Sequence, residues 1–273
     1  MHTREEKMQA FGRIIDILDE LRVKCPWDRK QTNESLRPNT IEETFELSDA
    51  ILQDDKHNIS KELGDVLLHI LFYAKIGEET GDFDIVDVIN NLSDKLIYRH
   101  PHVFSTAQVA DAAEVSKQWE MLKTKEKDGN KRVLSGVPAS LPSMIKAYRM
   151  QDKARGVGFD WEEKSQVWDK VQEELGEFRA ELSAMDSAAD ETDAKNAKDR
   201  AEGELGDYLF SIINAARLYG LNPDTALERT CQKFRRRFTY LEEHTIRQGR
   251  ELKDMTLAEM DEIWNEAKKM EIR

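Results

Sequence analysis

Turn-forming residues are scarce. The chain of 273 residues holds six prolines and thirteen glycines, well under the roughly 12% that these two types reach in average usage. The shortage excludes a turn-rich sandwich or barrel and leaves long helices, and no proline falls within 39–100 or 143–222. Cysteine is nearly absent as well. Cys25 and Cys231 form no CxxC pattern, which argues against a disulfide framework or a zinc site and for a reducing compartment. Long apolar runs are missing: the longest, Val66 to Ala74, is interrupted by His69 and falls far short of the roughly 20 residues of a spanning helix. The start, MHTREEKMQAFGRI, lacks the apolar core of a signal peptide, so a cytoplasmic protein with no membrane partner is expected. Basic charge is also in deficit, with 41 Lys and Arg against 54 Asp and Glu and a net charge of −13. Such a surface is poor at holding nucleic acid phosphates, and direct nucleic-acid binding is not expected. An acidic chain that handles an anion needs a metal ion or a local basic cluster.

What is present is helical patterning almost throughout. Phe11, Ile14, Ile15, Leu18 and Leu21 recur at three- and four-residue spacing, the signature of an amphipathic helix. A second helix is expected after Pro38, with Thr40 as N-cap and Glu43 at the capping-box position. Others are expected over 59–77, 85–99, 114–127, 143–155, 163–185, 200–219, 223–247 and 256–270. The polar segment 183–200 reads as a loop or frayed junction.

An internal repeat organises these helices. EETFE (42–46) matches EELGE (173–177), and ELGDVLL (62–68) matches ELGDYLF (204–210). KLIYR (95–99) parallels KFRRR (233–237), and WEMLK (119–123) parallels WNEAK (264–268). The order is kept while the spacing drifts, as expected of two copies that differ in loop length. Gly129, Gly136, Pro138 and Pro142 mark the connection between them. The expected fold is therefore all-α, with an N-terminal domain over 1–130, a linker over 131–142 and a C-terminal domain over 143–273.

Each copy carries Glu-x-x-Glu on one helix and Glu-x-x-Asp on the next: Glu43 and Glu46 with Glu62 and Asp65, then Glu174 and Glu177 with Glu204 and Asp207. Residues three apart share a helix face, so antiparallel packing of the two helices would gather four carboxylates. The same helices are expected to bury Phe45, Leu47, Leu63, Val66 and Leu67, setting the acids at the border of the core. Like charges that close repel unless a cation neutralises them, and an all-oxygen ligand set suits Mg²⁺ or Mn²⁺. One E-x-x-E pair alone would be ordinary helix surface; two motifs repeated in order on consecutive helices point to metal. Gly64 and Gly206, each mid-helix at a cost of about 1 kcal/mol relative to Ala, suggest close backbone approach at the motif.

Lys95 with Arg99 and Lys233 with Arg237 stand one turn apart and could hold phosphate oxygens; the competing reading is solvated basic residues that offset a helix dipole. Trp119 and Trp264 could stack on a base or belong to the core. Trp27 and Trp161 read as packing residues, His69 as a core histidine, His100 and His102 as helix-end residues beside Pro101, and the two cysteines as buried small hydrophobes.

Taken together, CPWDRKQTNESL, IEETFELSDAI, ELGDVLLHILFYA, YRHPHVF, GVPASLP and KARGVGFDW resemble the MazG family, nucleoside triphosphate pyrophosphohydrolases of the all-α NTP pyrophosphatase group. The resemblance covers essentially the whole chain. It implies tandem four- or five-helix MazG domains, an intertwined homodimer and Mg²⁺-dependent cleavage of a nucleoside triphosphate to monophosphate and pyrophosphate. Carried over to this chain, the family's metal positions match Glu174, Glu177, Glu204 and Asp207. Its phosphate-binding positions match Lys233 and Arg237, its base-stacking tryptophan matches Trp264, and its acidic residue on the nucleotide-binding helix matches Glu173. The first copy retains the corresponding Glu43, Glu46, Glu62, Asp65, Lys95, Arg99 and Trp119. Gly203 departs from the family, in which an acid often precedes E-L-G-D.

The resulting expectation is a hydrolase in which Glu173 or Glu174 takes the proton of the attacking water. A di-iron carboxylate bundle is a poor alternative, because it needs Glu-x-x-His and the chain has none. A nucleotide-binding scaffold without turnover is the rival from another class. The second copy is the expected main catalyst. The resemblance implies it, since in two-domain family members the second copy is the one usually credited with activity. Two local grounds agree: its 183–200 insertion could fold over substrate as a lid, and Gly176 leaves room beside the metal glutamates where the first copy has Phe45.

Overall fold

The computed structural model describes residues 1–105, 115, 118, 119, 122 and 132–270. Among the described residues there is no strand, and the chain is all-α. It divides into two compact units, Met1–Trp119 and Glu120–Arg273. The expected helix over 114–127 lies largely outside the described residues; 115, 118, 119 and 122 are helical. The first residue of the expected linker, 131, also lies outside them, and the remainder forms a short 3-10 turn, Val133–Gly136, and a loop.

In the first unit α1 (Arg4–Lys24) precedes a helical hairpin of α2 (Asn33–Leu52) and α3 (Lys56–Thr80), followed by α4 (Ile85–Arg99) and the one-turn α5 (Pro101–Phe104). Leu18 of α1, Leu36 of α2 and Leu71 and Phe72 of α3 form the buried centre, packed by Phe11, Ile14, Ile15, Leu68 and Ile76. The second helix begins earlier than its sequence suggests. Thr32, not Thr40, is its N-cap: Ser35 N–H donates to Thr32 Oγ1 at 3.2 Å and Thr32 N–H to Ser35 Oγ at 2.9 Å. Burial of Leu36 draws this first turn onto the core, and Pro38 sits inside the helix on its exposed side. Thr40 instead donates to the Leu36 carbonyl and contacts His69 Nδ1 at 3.0 Å and the Tyr73 hydroxyl at 2.6 Å, so His69 is the satisfied core histidine the pattern suggested. A tight connection with Asp54 at φ 55° turns α2 into α3, and Asp55 caps α3 through the amides of His57 and Asn58.

The second unit repeats the plan. It consists of α6 (Ser143–Gly156), a hairpin of α7 (Val167–Asp186) and α8 (Glu191–Leu218), then α9 (Pro223–Arg247) and α10 (Leu257–Met270). Val167, Val171 and Ala215 form one core cluster, and Leu241, Met255 and Ile263 another. The 183–200 segment holds the junction of the hairpin at 187–190 and is otherwise helical rather than a loop. Helix α7 runs to Asp186, α8 starts at Glu191, and Asp190 caps it through the amides of Thr192 and Asp193. Ala194, Ala197 and Ala201 make a helical stripe of small residues, the last two buried. Alanine is the best helix former, and the insertion lengthens the hairpin, which removes it as a lid.

Several packing expectations are also corrected. Trp27 and Trp161 are exposed, Cys231 is exposed and Cys25 only partly covered. A Cβ added at Gly64, Gly176 or Gly206 would meet no atom of a neighbouring element within 4 Å among the described residues, so the close backbone approach expected there is not seen among them. Phe45 is 55% exposed and Leu63 53%; among the described residues these two and Leu67 are open apolar surface rather than core.

Candidate functional site

The two hairpins do what the motif spacing requires. Helices joined by a short connection run antiparallel, so the faces that carry i, i+3 acids meet side by side. In the first unit, carboxylate oxygens of Glu43, Glu62 and Asp65 all lie within 4.8 Å of one another. In the second, those of Glu174, Glu177 and Glu204 do the same. Glu46 and Asp207 stand outside these closest groups, although their charges act on Glu43 and Glu204 respectively. Each group has one deeply buried member: Glu62 is 5% exposed and Glu174 7%.

The electrostatics match the crowding. Partial burial, and then the neighbouring carboxylates of Asp65, Glu46 and Glu62, raise the pKa of Glu43 above its ordinary value. The same causes, with Glu177, Asp207 and Glu174 as neighbours, raise that of Glu204. Glu62 Oε2 is buried with no hydrogen-bond partner, and a buried carboxylate oxygen left unmatched costs free energy. Close carboxylates and an orphaned oxygen fit a hard divalent cation.

Two lysines that belong to neither repeated motif also stand at these groups. Lys61 donates to Glu62 at 3.0 Å, and Lys170 donates to Glu174 at 2.6 Å and to Glu173 at 3.0 Å. Their sequence signal was weak, since an isolated lysine beside glutamates on a helix is ordinary surface chemistry. Glu173 is exposed and joins the site through Lys170.

The basic and aromatic candidates form a second group in each unit. Arg99 on α4 lies over the ring of Trp119, with Cζ 5.9 Å from its centroid. Arg237 on α9 lies over Trp264 of α10 at 5.8 Å. Such cation–ring contacts hold both partners in place. Phe234 packs on Trp264 at 5.1 Å, whereas in the first unit His100 approaches Trp119 at 6.0 Å. Lys233 is half-buried on α9 and Lys95 exposed on α4. Phe45, the residue in the first copy at the position of Gly176, is 55% exposed.

An all-α chain built on two carboxylate-bearing helical hairpins, each followed by an arginine set over a tryptophan, defines a class of helical, acid-rich proteins with the features of a cation-assisted anion site. Comparison with known proteins narrows this. A domain model described as the MazG nucleotide pyrophosphohydrolase domain matches residues 31–104, the stretch that contains the first hairpin. The chain is 37% identical over 272 residues to the nucleoside triphosphate pyrophosphohydrolase of Escherichia coli K12, covering 97% of this chain and 99% of that one. It is 40% identical over 262 residues to the nucleoside triphosphate pyrophosphohydrolase/pyrophosphatase MazG of Thermotoga maritima, covering 94% and 95%. It also matches the YabN protein of Bacillus subtilis at 46% over 99% of this chain, which spans 54% of that longer protein. The chain belongs to the MazG family.

Proposed function

We propose that this protein is a nucleoside triphosphate pyrophosphohydrolase that cleaves NTPs or dNTPs to the nucleoside monophosphate and pyrophosphate, with Mg²⁺ as cofactor and Mn²⁺ able to replace it. The observation that carries the reading is the pair of acidic groups, each a set of converging carboxylates with a buried glutamate, within a chain of this family. Glu174, Glu177, Glu204 and Asp207 would hold the ion in the second unit, and Glu43, Glu46, Glu62 and Asp65 in the first. Mg²⁺ held there would supply charge neutralisation of the triphosphate and Lewis-acid activation of water.

The chain's own groups supply the rest. Glu173 or Glu174, the pair bridged by Lys170, takes the proton from the attacking water. Lys233 and Arg237 balance the charge that develops on the departing pyrophosphate. Trp264, braced by Phe234, stacks on the base; Lys95, Arg99 and Trp119 play the matching parts in the first unit. The second unit, 143–273, is the main catalyst, as the family resemblance implies, with 1–130 as the first domain and 131–142 as the linker.

The protein works as a homodimer in the cytoplasm, without direct contact to nucleic acid. Support for the dimer comes from Phe45, Leu63 and Leu67 in the first unit and Leu205 and Leu209 in the second, all exposed on the hairpins that carry the acids; apolar faces of this kind mark association surfaces. No helix among the described residues is long and apolar enough to cross a membrane.

The test is pyrophosphate release from the eight common NTPs and dNTPs, with and without Mg²⁺. Stoichiometric release of pyrophosphate and monophosphate that depends on the metal is the expected result. Tight nucleotide binding with no release would instead make the protein a nucleotide-binding scaffold.

A further inference from the structure

Each acidic group has an ammonium ion lodged against it, and the two ions come from different helices of the hairpin. In the first unit it is Lys61, on the second helix, which donates to Glu62 Oε1 at 3.0 Å. In the second unit it is Lys170, on the first helix, which reaches Glu174 at 2.6 Å. Aligned on the repeated motifs, Lys61 corresponds to Gly203 and Lys170 to Asn39. Neither unit keeps the other's lysine, yet both place one against the most buried glutamate of the group. In each case the half-buried carboxylate of the opposite helix, Glu43 or Glu204, is the one pushed up in pKa, by its own desolvation and then by its acidic neighbours.

The arrangement follows from the energetics of a crowded acidic site. Burying a carboxylate costs free energy unless a counter-charge answers it. Lys61 answers only one oxygen of Glu62, since Oε2 is buried and unpartnered. The Lys61 side chain is itself 61% exposed, so its ammonium can swing into water when another cation arrives. We propose that Lys61 is the resident counter-cation of the first acidic group: it compensates Glu62 in the metal-free protein and competes with a divalent ion for that carboxylate. The inference rests on the metal reading above and adds a residue that sets metal affinity without being a ligand.

The test uses the full-length chain and Mn²⁺, titrated by the electron paramagnetic resonance signal of the free ion. Glu62→Gln identifies the binding class that belongs to the first group. Lys61→Met should tighten that class by about tenfold or more, the effect of removing one nearby positive charge at high local dielectric. The same variant should unfold at a lower temperature than wild type in EDTA, with the difference closing under saturating Mn²⁺. Lys56→Met is the control: Lys56 lies on the same helix and pairs with Asp54, outside the group, and its loss should leave the isotherm unchanged. Adding Asn39→Lys to Lys61→Met puts an ammonium one turn before Glu43, as Lys170 stands one turn before Glu174, and should return the affinity towards wild type. A purely structural lysine would not be rescued by moving its charge. An unchanged or weakened Mn²⁺ affinity in Lys61→Met, while Glu62→Gln still removes the class, overturns the role of Lys61 alone. An isotherm that Glu62→Gln does not alter overturns the metal reading of the first group itself.

Discussion

Lys233, Arg237 and Trp264 sit on adjoining helices but face different parts of a nucleotide in the proposed reaction. Lys233→Ala and Arg237→Ala should lower turnover more than they weaken binding of a nucleoside monophosphate, which lacks the β and γ phosphates. Trp264→Ala should weaken triphosphate and monophosphate binding by similar factors, since stacking on a base is worth about 1–3 kcal/mol. Calorimetry with monophosphates beside steady-state kinetics separates the two; equal effects of all three changes on monophosphate affinity would refute the division. At the same scale, Glu43 and Glu204 have pKa values raised by burial and then by neighbouring acids. The native state therefore binds their protons more readily than the unfolded chain does, and stability contributed by protonation is lost as pH rises through the raised values. Metal-free protein should gain thermal stability as the pH is lowered from 7 towards the top of the carboxylate range. Glu43→Gln combined with Glu204→Gln should flatten that gain. Further acidification works the other way. Burial would raise the pKa of Asp160, but hydrogen bonds from Arg217 and the Trp161 amide outweigh it and hold the value low. The hydrogen bond from Arg22 holds Glu79 low as well. Their contributions are present above the ordinary carboxylate range and lost as pH falls through the depressed values.

At the scale of the element, two glycines make opposite predictions. A Cβ at Gly77, near the end of α3, would lie 2.8 Å from both the ring and the carbonyl oxygen of Phe83. Because backbone must move to relieve that contact, Gly77→Ala should destabilise the first unit by about 1–3 kcal/mol, the usual range for overpacking. A Cβ at Gly206, in the middle of α8, would meet no neighbouring element within 4 Å among the described residues, and Gly206→Ala should stabilise the chain by about 0.5–1 kcal/mol through helix propensity alone. Chemical denaturation at low protein concentration measures both. A destabilised Gly206→Ala would mean that another chain packs tightly against this turn. The hairpins also account for the most instructive misreading, that of 183–200. Large apolar residues carry most periodicity arguments, whereas Ala197 and Ala201 are buried against the neighbouring helix with little side chain to signal it. Start signals misled in the same way at α2: Thr40 and Glu43 have the spacing of a cap, but the burial of Leu36 rewards a helix that begins at Asn33 and passes through Pro38.

For the whole molecule, the question is how two similar units share the work. With the second as main catalyst, Glu177→Gln or Asp207→Asn should abolish most pyrophosphate release while far-UV helicity persists, and Glu62→Gln should cost much less. Each change removes a charge from a crowded acidic group, so the metal-free variants should be at least as thermally stable as wild type. Turnover that survives Glu177→Gln and disappears in Glu62→Gln would reverse the assignment. The proposed homodimer has its own check: Leu205→Glu sets a charge into an exposed apolar face and should shift sedimentation from dimer to monomer, with the helical content retained.

Much of this protein is determined locally and can be read without coordinates. The scarcity of breakers and the three-four spacing specify helices, and the repeated motifs specify two copies. The i, i+3 acids specify which faces are charged, because helix geometry depends only on neighbours along the chain. The candidate metal groups were legible for that reason, four acids to each copy. Which of those acids converge was decided by how the hairpins pack, and this left Glu46 and Asp207 outside the closest groups and buried Glu62 and Glu174. The lysines at these groups, the setting of Arg99 and Arg237 over tryptophans and the exposure of Phe45 and Leu63 likewise depend on distances between elements. Periodicity tells which residues share a face. Whether that face meets core, a charged partner or solvent depends on the three-dimensional packing of helices that the sequence pattern does not encode one segment at a time.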